Sequence, residues 1–198
     1  MLYHRALGRD LNTLIVAVVD NRKPMLSLMR GMLAAIGVAR IDTYASPVEA
    51  YEAMAKDTPD LVIAAASMQP LTGSDLVRTM RRPCSGELAL VPAMILSACA
   101  DPARVEEALK AGAHQVLVLP ISARTLYRRI DWLIDDDRPF ELKGEHYVVA
   151  GLEQRLSINV QRPISAPPEP GLPFLAGVPE EEPAPTLDII MKARAAPH

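Results

Sequence analysis

Residues 60–73 read DLVIAAASMQPLTG, from Asp60 to Gly73, and this stretch decides how the rest of the chain is interpreted. Its apolar run, Leu61 to Ala65, predicts a strand that is buried on both faces. The run leads directly into a loop. Strand-to-loop junctions of open α/β sheets are where such folds carry their chemistry. Here, however, the junction consists of three alanines followed by a serine.

Strand and helix signals alternate on both sides of this stretch. Apolar, β-branched runs predict strands at 13–19, 41–45, 61–65, 92–97 and 116–119. Helical periodicity follows each strand, and three of the helices begin with a cap residue, at Ser46, Asp101 and Ser122. Alternating strands and helices indicate a parallel sheet that is covered on both faces. Five such units predict a flavodoxin-like, doubly wound (βα)5 sheet with the strand order 2-1-3-4-5.

Composition narrows the class of protein. The chain has 198 residues, of which 49% are hydrophobic, so we expect one ordinary domain with a tail. A net charge of -3 gives no reason to expect nucleic acid as a partner. The apolar runs are too short to span a bilayer, and no signal peptide is recognised. Cys84 and Cys99 form no disulfide framework, which favours a cytoplasmic location.

The composition changes near residue 161. About half of the 18 prolines fall between Pro163 and Pro197, and proline excludes regular helices and central strands. We therefore expect residues 161–198 to form a disordered or extended tail, with a short amphipathic helix near Leu187 to Met191. Residues 137–160 form a short extension, in which 139–149 (PFELKGEHYVV) predict a small hairpin.

Four sequence blocks occur in order: VAVVDNRKPML, PDLVIAAASMQPLTG, VPAMILSA and AGAHQVLVLPIS. These blocks and the spacing between them resemble the receiver domain of two-component response regulators over residues 12–136. The resemblance implies a set of site positions. The acid pair that ends strand one falls on Val19 and Asp20, and the phospho-acceptor aspartate on Ala65. The Ser/Thr of strand four falls on Ser97, the lysine on Leu119, and the aromatic of strand five on Val116.

These substitutions predict a degenerate pseudo-receiver. Ala65 supplies no nucleophile for an aspartyl phosphate, and Leu119 supplies no charge for the phosphoryl oxygens. The single carboxylate of Asp20 is too little for Mg²⁺, which requires near-octahedral oxygen ligands. We therefore expect no catalysis, no metal and no cofactor. We also expect Val19, Ala65 and Leu119 to pack against one another and close the pocket.

Other interpretations of single residues remain open. Asp20 is equally suited to hold backbone donors near the first helix, and Ser97 to bond the backbone where its strand ends. Ser67 and Thr72 lie in the loop after strand three, where a modification is conceivable. Asp60 begins strand three, so we expect it at the opposite edge of the sheet. The histidines show no metal-ligand spacing, and neither a phosphate-binding glycine loop nor a nucleophile elbow is present.

The leading hypothesis is a stand-alone, phosphorylation-independent interaction module in phosphorelay signalling. In this family the output surface comprises helix four, strand five and helix five, which predicts a partner surface at Arg104, Glu107, Lys110, Arg124 and Arg128. Expected partners are a histidine kinase, another response regulator or a regulatory assembly, and a homodimer is an alternative. We expect neither nucleic acid nor a membrane as a partner. The alternatives are a receiver phosphorylated at Ser67, Thr72 or Asp20, or a small-ligand sensor in the vacated crevice.

Overall fold

The structure of the protein is a computed structural model, and it describes residues 1–151. The strands, helices and hairpin reported below lie within that range. The proline-rich tail predicted for residues 161–198, its terminal helix and the last part of the extension (152–160) lie outside the described residues.

Five parallel strands form the central sheet in the order β2-β1-β3-β4-β5. The strands are β1 (Ile15–Val19), β2 (Arg40–Tyr44), β3 (Leu61–Ala65), β4 (Ala93–Ser97) and β5 (Gln115–Val118). The helices that follow them are α1 (Lys23–Ala35), α2 (Pro47–Lys56), α3 (Gly73–Met80), α4 (Pro102–Lys110) and α5 (Ala123–Ile134). Two 3-10 helices, Leu11–Thr13 and Pro83–Leu90, precede β1 and β4. The flavodoxin-like sheet and its strand order are therefore confirmed.

The helices begin where the sequence places cap residues. The hydroxyl of Ser46 accepts a hydrogen bond from the backbone of Glu49, and that of Ser122 accepts one from Thr125. Thr72 and Asp75 form a reciprocal capping box at the start of α3. Each cap satisfies a backbone donor that the first helical turn leaves unpaired. Among residues 1–151, no helix has the length and apolar character needed to cross a membrane.

The sheet separates two hydrophobic cores. One core lies under α2, α3 and α4, and includes Val19, Ala65 and Leu76; we call it the α3 side. The other lies under α1 and α5, and includes Met29 and Ile130; we call it the α1 side. Every residue of β3 and β4 is buried, as expected for central strands that are covered on both faces.

Gly73 fixes the path of the loop between β3 and α3. A Cβ atom at this position would lie 2.4 Å from the carbonyl oxygen of Ala65 and 3.1 Å from a methyl group of Ile95. Only glycine allows the first turn of α3 to approach the end of β3 this closely. The loop therefore has its shape because α3 begins directly against the strand that it follows.

The amino-terminal edge of the sheet is covered by the hairpin. β6 (Phe140–Lys143) and β7 (His146–Val149) pair antiparallel, so residues 139–149 form the hairpin that their sequence indicates. The backbone of Leu2 bridges to Phe140, whose side chain is buried. Tyr147 donates a backbone hydrogen bond to the carbonyl of Arg81. The hairpin and the first residues of the chain are thus integral to this edge.

Arg81 is the largest fully buried side chain beneath the hairpin. Its guanidinium donates hydrogen bonds to the carbonyl oxygens of Gly112, Ala89 and Val91, at 2.7 to 3.0 Å. The guanidinium carbon also lies 4.7 Å from the ring centroid of Phe140, a cation–π contact. Burial lowers the pKa of Arg81, since desolvation penalises the charged form. Carbonyl dipoles and the ring compensate for that penalty in place of a carboxylate.

Asp60 lies at the same amino-terminal edge, as predicted. Its buried carboxylate accepts hydrogen bonds from Arg5 at 3.1 Å, from Arg9 at 2.8 Å and from the backbone of Ile15 at 3.0 Å. The two arginines come from the segment before β1, for which the sequence indicated no role. Asp60 therefore holds this segment against the sheet.

Gly73→Ala should lower the free energy of unfolding by about 1–3 kcal/mol, because the new methyl group meets a backbone carbonyl that cannot move freely. Gly31→Ala is the matched control. Gly31 lies inside α1, with nothing within 4 Å of an added Cβ, so the same change should stabilise the fold by about 0.5–1 kcal/mol. Urea unfolding of both variants measures the difference, and equal effects would contradict the close approach.

Arg81→Met should lower the free energy of unfolding by about 2 kcal/mol or more, because three carbonyl groups lose a charged donor. Amide hydrogen exchange in residues 140–149 should also become faster. The control is Arg82→Met, which removes the same group from the exposed neighbouring residue and should change stability by less than about 0.5 kcal/mol. Unchanged exchange in the hairpin of Arg81→Met would refute the anchoring role of Arg81.

Candidate functional site at the carboxyl edge of the sheet

The carboxyl ends of β1, β3 and β4 meet at one edge of the sheet, as the parallel topology requires. Val19 lies opposite Ala64 in the register, and Ala65 lies opposite Leu96. Asp20 and Ser97 stand at the ends of β1 and β4 and are both buried. The edge that the sequence indicated for the chemistry is therefore assembled.

Asp20 is the remaining carboxylate of this edge, and it is only 1% exposed. Its Oδ1 atom accepts hydrogen bonds from the backbone N–H of Arg22 at 2.8 Å and from the Nε–H at 3.0 Å. Its Oδ2 atom accepts from the Nη2 group of the same arginine at 2.8 Å. Both carboxylate oxygens are thus held by one neighbouring residue, two positions along the chain.

The Asp20–Arg22 pair neutralises the charge of the edge internally. The carboxylate raises the pKa of Arg22, mainly through the side-chain hydrogen bonds. A bidentate guanidinium–carboxylate pair has strong and directional hydrogen bonds. Arg22 was not among the residues singled out from the sequence. An arginine two residues beyond a strand-terminal acid was the available signal, but its side-chain direction could not be inferred.

Magnesium, which the receiver resemblance implies, does not fit these residues. Mg²⁺ is usually anchored by one or two carboxylates together with phosphate oxygens. At this edge the only acid of the implied pair is Asp20, and a guanidinium already occupies both of its oxygens. Within residues 1–151, no group of three or more His, Cys, Asp and Glu side chains is arranged to hold a metal ion.

Val19 and Ala65 are fully enclosed. Val19 is 0% exposed and Ala65 is 1% exposed, and both belong to the core on the α3 side. Ala65 presents only a methyl group, and its carbonyl is the atom against which Gly73 packs. At the position of the implied phospho-acceptor there is consequently no nucleophilic atom.

Leu119 does not pack with Val19 and Ala65, so this expectation from the sequence is wrong. Its side chain lies against the core on the α1 side of the sheet. The reason is the period of the strand: Leu117 and Leu119 are two residues apart and therefore point to the same face. Leu119 remains in register, because its N–H donates to the carbonyl of Ser97 at 2.9 Å.

Ser97 bonds the backbone where its strand ends. Its hydroxyl donates to the carbonyl of Cys99 at 2.8 Å and accepts from the N–H of the same residue at 3.3 Å. Thr72 has a comparable structural role, since its hydroxyl donates to Asp75 at 2.7 Å and accepts from the backbone of Asp75 at 3.1 Å. Ser67 accepts a hydrogen bond from Arg104 at 3.3 Å.

The pocket is not closed, contrary to the sequence-based expectation. A cavity of about 480 Å³ remains beside Ala66, between the loop after β3, the end of β4 and one face of α4. Its lining residues include Ser67, Ile95, Ser97, Arg104, Glu107 and Val116. Leu119 packs on the other side of the sheet, and Val116 lines the cavity without filling it.

The five residues of the predicted partner surface have different surroundings. Arg104 and Glu107 line the cavity. Lys110 forms an ion pair with Glu106 at 2.6 Å, and its carbonyl contacts His146 of the hairpin at 3.3 Å. Arg124 is exposed and Arg128 is half-buried, one turn apart on α5. The structure thus places two of the five at the cavity and two on α5.

Comparison with known proteins agrees with this architecture. A family model described as "Response regulator receiver domain" matches residues 16–131. The chemotaxis protein CheY-3 of Vibrio cholerae is 24% identical over 120 residues, which are 61% of this chain and 91% of that protein. The structure of the Vibrio cholerae chemotaxis protein CheY4 is similar with a TM-score of 0.57 and 22% identity, covering 61% of this chain and 98% of the other.

A further similar structure is the receiver domain of a sensor histidine kinase from Pseudomonas aeruginosa, which has a magnesium ion coordinated in its active-site cleft. Its TM-score is 0.57 at 20% identity, covering 63% of this chain and 99% of that one. At these identities, the similar structures establish the fold alone. The family match, in contrast, spans more than half of the 198 residues. Fold, strand order and family match together show that this chain belongs to the response regulator receiver domain family.

Proposed function

We propose that this receiver domain acts in two-component signalling as a phosphorylation-independent protein-interaction module, in the cytoplasm and without enzymatic activity. The observation that carries the proposal is the pairing of Asp20 with Arg22. The only acid of the implied pair has a guanidinium as its counter-charge, and beside it the acceptor position holds the methyl group of Ala65. Phosphoryl chemistry at this edge would have to displace the arginine before any metal could bind.

Two deficits act together against phosphorylation: the implied site has no nucleophile and no free counter-charge for the phosphoryl oxygens. An aspartyl phosphate requires a carboxylate nucleophile, which Ala65 does not have. Charge on the phosphoryl oxygens requires a metal ion or a nearby cation. Leu119 is apolar and lies on the α1 side, while Arg22 is already engaged by Asp20. The hydroxyl of Thr72 is also engaged, by Asp75, which disfavours it as a substitute acceptor.

The α5 surface supports the interaction role. Trp132 is 50% exposed and Tyr127 is 42% exposed, large values for aromatic side chains. The guanidinium of Arg138 lies 5.2 Å from the centroid of the Trp132 ring. Aromatic residues and arginine are enriched at protein interfaces and often dominate their binding energy. Together with Arg124, these residues suit contact with a histidine kinase, another response regulator or a second copy of this chain.

Incubation with acetyl phosphate and Mg²⁺ should leave the mass of the intact protein unchanged. Ala65→Asp alone should also gain no stable phosphoryl group, because Val19 and Leu119 remain and Arg22 still occupies Asp20. The triple variant Val19→Asp, Ala65→Asp, Leu119→Lys is the informative comparison, since it restores the three residue types that the resemblance implies at these positions. Circular dichroism checks that its fold is unchanged. A magnesium-dependent mass gain in the wild type or in Ala65→Asp would overturn the proposal.

The full chain, immobilised and exposed to its native cytoplasmic extract, should retain a histidine kinase or a response regulator, identified by mass spectrometry. Arg124→Glu and Trp132→Ala should each weaken retention at least about tenfold, as expected for central interface residues. Arg30→Glu, an exposed charge on α1, serves as the control and should bind normally. Failure to retain any signalling protein, with or without residues 161–198, would contradict the interaction role.

A further inference from the structure

The cavity beside Ala66 has the dimensions of a small-molecule site. Its volume of about 480 Å³ falls within the range of roughly 300–1,000 Å³ that is typical of ligand pockets. It is bounded by residues of the β3–α3 loop, by the end of β4 and by α4. Ligand sites of open α/β sheets form at this edge, outside the carboxyl ends of the strands. Position and size are therefore both suitable.

Two opposite charges face the cavity from the same helix. Arg104 and Glu107 both line it, and they are three residues apart on α4, which places them on one face. Arg104 donates to Ser67 at 3.3 Å and contacts Asp101 at 3.8 Å, so several of its five donors remain available. No ion pair involves Glu107 within residues 1–151, so its carboxylate is available to a ligand cation.

Three apolar side chains form part of the wall of the cavity. Ile95 of β4 and Val116 of β5 line it together with Val105 of α4. Ile95 is 2% exposed, and Val116 packs against the core on the α3 side. An apolar group that displaced water from this wall would gain about 25 cal/mol for each Å² buried. The cavity thus combines two opposite charges from α4 with apolar side chains from α4, β4 and β5.

We propose that this cavity binds a small zwitterion with an apolar side chain, of the class of free aliphatic α-amino acids. Arg104 takes the ligand carboxylate, Glu107 takes the ammonium group, and Ile95 and Val116 take the side chain. A simple anion is disfavoured by Glu107, and a simple cation by Arg104. The site goes beyond the interaction role and requires neither phosphorylation nor a metal.

Isothermal titration calorimetry of the full chain with leucine, isoleucine and valine tests the proposal. At least one of the three should bind. Two analogues of leucine separate the charges: 4-methylpentanoate lacks the ammonium group, and isoamylamine lacks the carboxylate. Each should bind at least about tenfold more weakly, because one charge-assisted pair is lost.

Three variants locate the binding site. Arg104→Gln and Glu107→Gln should each weaken binding about tenfold or more, and Val116→Phe should abolish it by filling the cavity. Arg30→Gln and Glu52→Gln remove the same charges from exposed positions on α1 and α2 and should bind as the wild type does. Arg104 and Glu107 are both exposed, so we expect their variants to fold normally. They therefore test the site even where Val116→Phe perturbs folding.

Three results would overturn the proposal: no binding of any of the three amino acids at about 10 mM, equal binding of leucine and 4-methylpentanoate, or undiminished binding by Val116→Phe. The outcome is independent of the acetyl phosphate experiment. A receiver that accepted a phosphoryl group could still bind an amino acid here, and an inert one could fail to do so.

Discussion

The contact between Asp20 and Arg22 governs the carboxyl edge of this receiver domain. A carboxylate that is 1% exposed needs a counter-charge, and the chain supplies one from two residues away, with hydrogen bonds of 2.8 to 3.0 Å to both oxygens. Because the guanidinium comes from a residue two positions away, a metal ion would have to displace it from both carboxylate oxygens. Ala65 removes the nucleophile from the same edge, while Gly73 preserves the loop around it.

The two edges of the sheet differ in how completely they are filled. At the amino-terminal edge, the hairpin, Arg81 and the Asp60 contacts with Arg5 and Arg9 close the core. At the carboxyl edge a cavity of about 480 Å³ persists. At the first edge, buried charged groups are held by hydrogen bonds to carbonyl groups and ion pairs, whereas small side chains leave space at the second. The buried, hydrogen-bonded charges and the open cavity thus lie at opposite edges of the sheet.

The fold was predictable because it depends on local patterns: alternating strand and helix signals, cap residues at helix starts and a turn in 139–149. The positions of the site were predictable for the same reason, since parallel strands end at a common edge. The side-chain contacts at this edge were less predictable. Leu119 points to the α1 side, the Arg22 side chain turns back to Asp20, and the cavity depends on how side chains from three elements fill space. These are properties of packing in three dimensions, which residue spacing alone does not determine.

Manganese binding tests the central claim most directly, because Mn²⁺ takes the oxygen ligands of Mg²⁺ and broadens the NMR signals of nearby amides. If Arg22 occupies Asp20, the amide signals around Asp20 and Ala66 should broaden no more than those near exposed acidic residues elsewhere. This should hold at metal concentrations up to about 10 mM. Selective broadening centred on Asp20 would contradict the account, since it would show that a metal displaces the arginine.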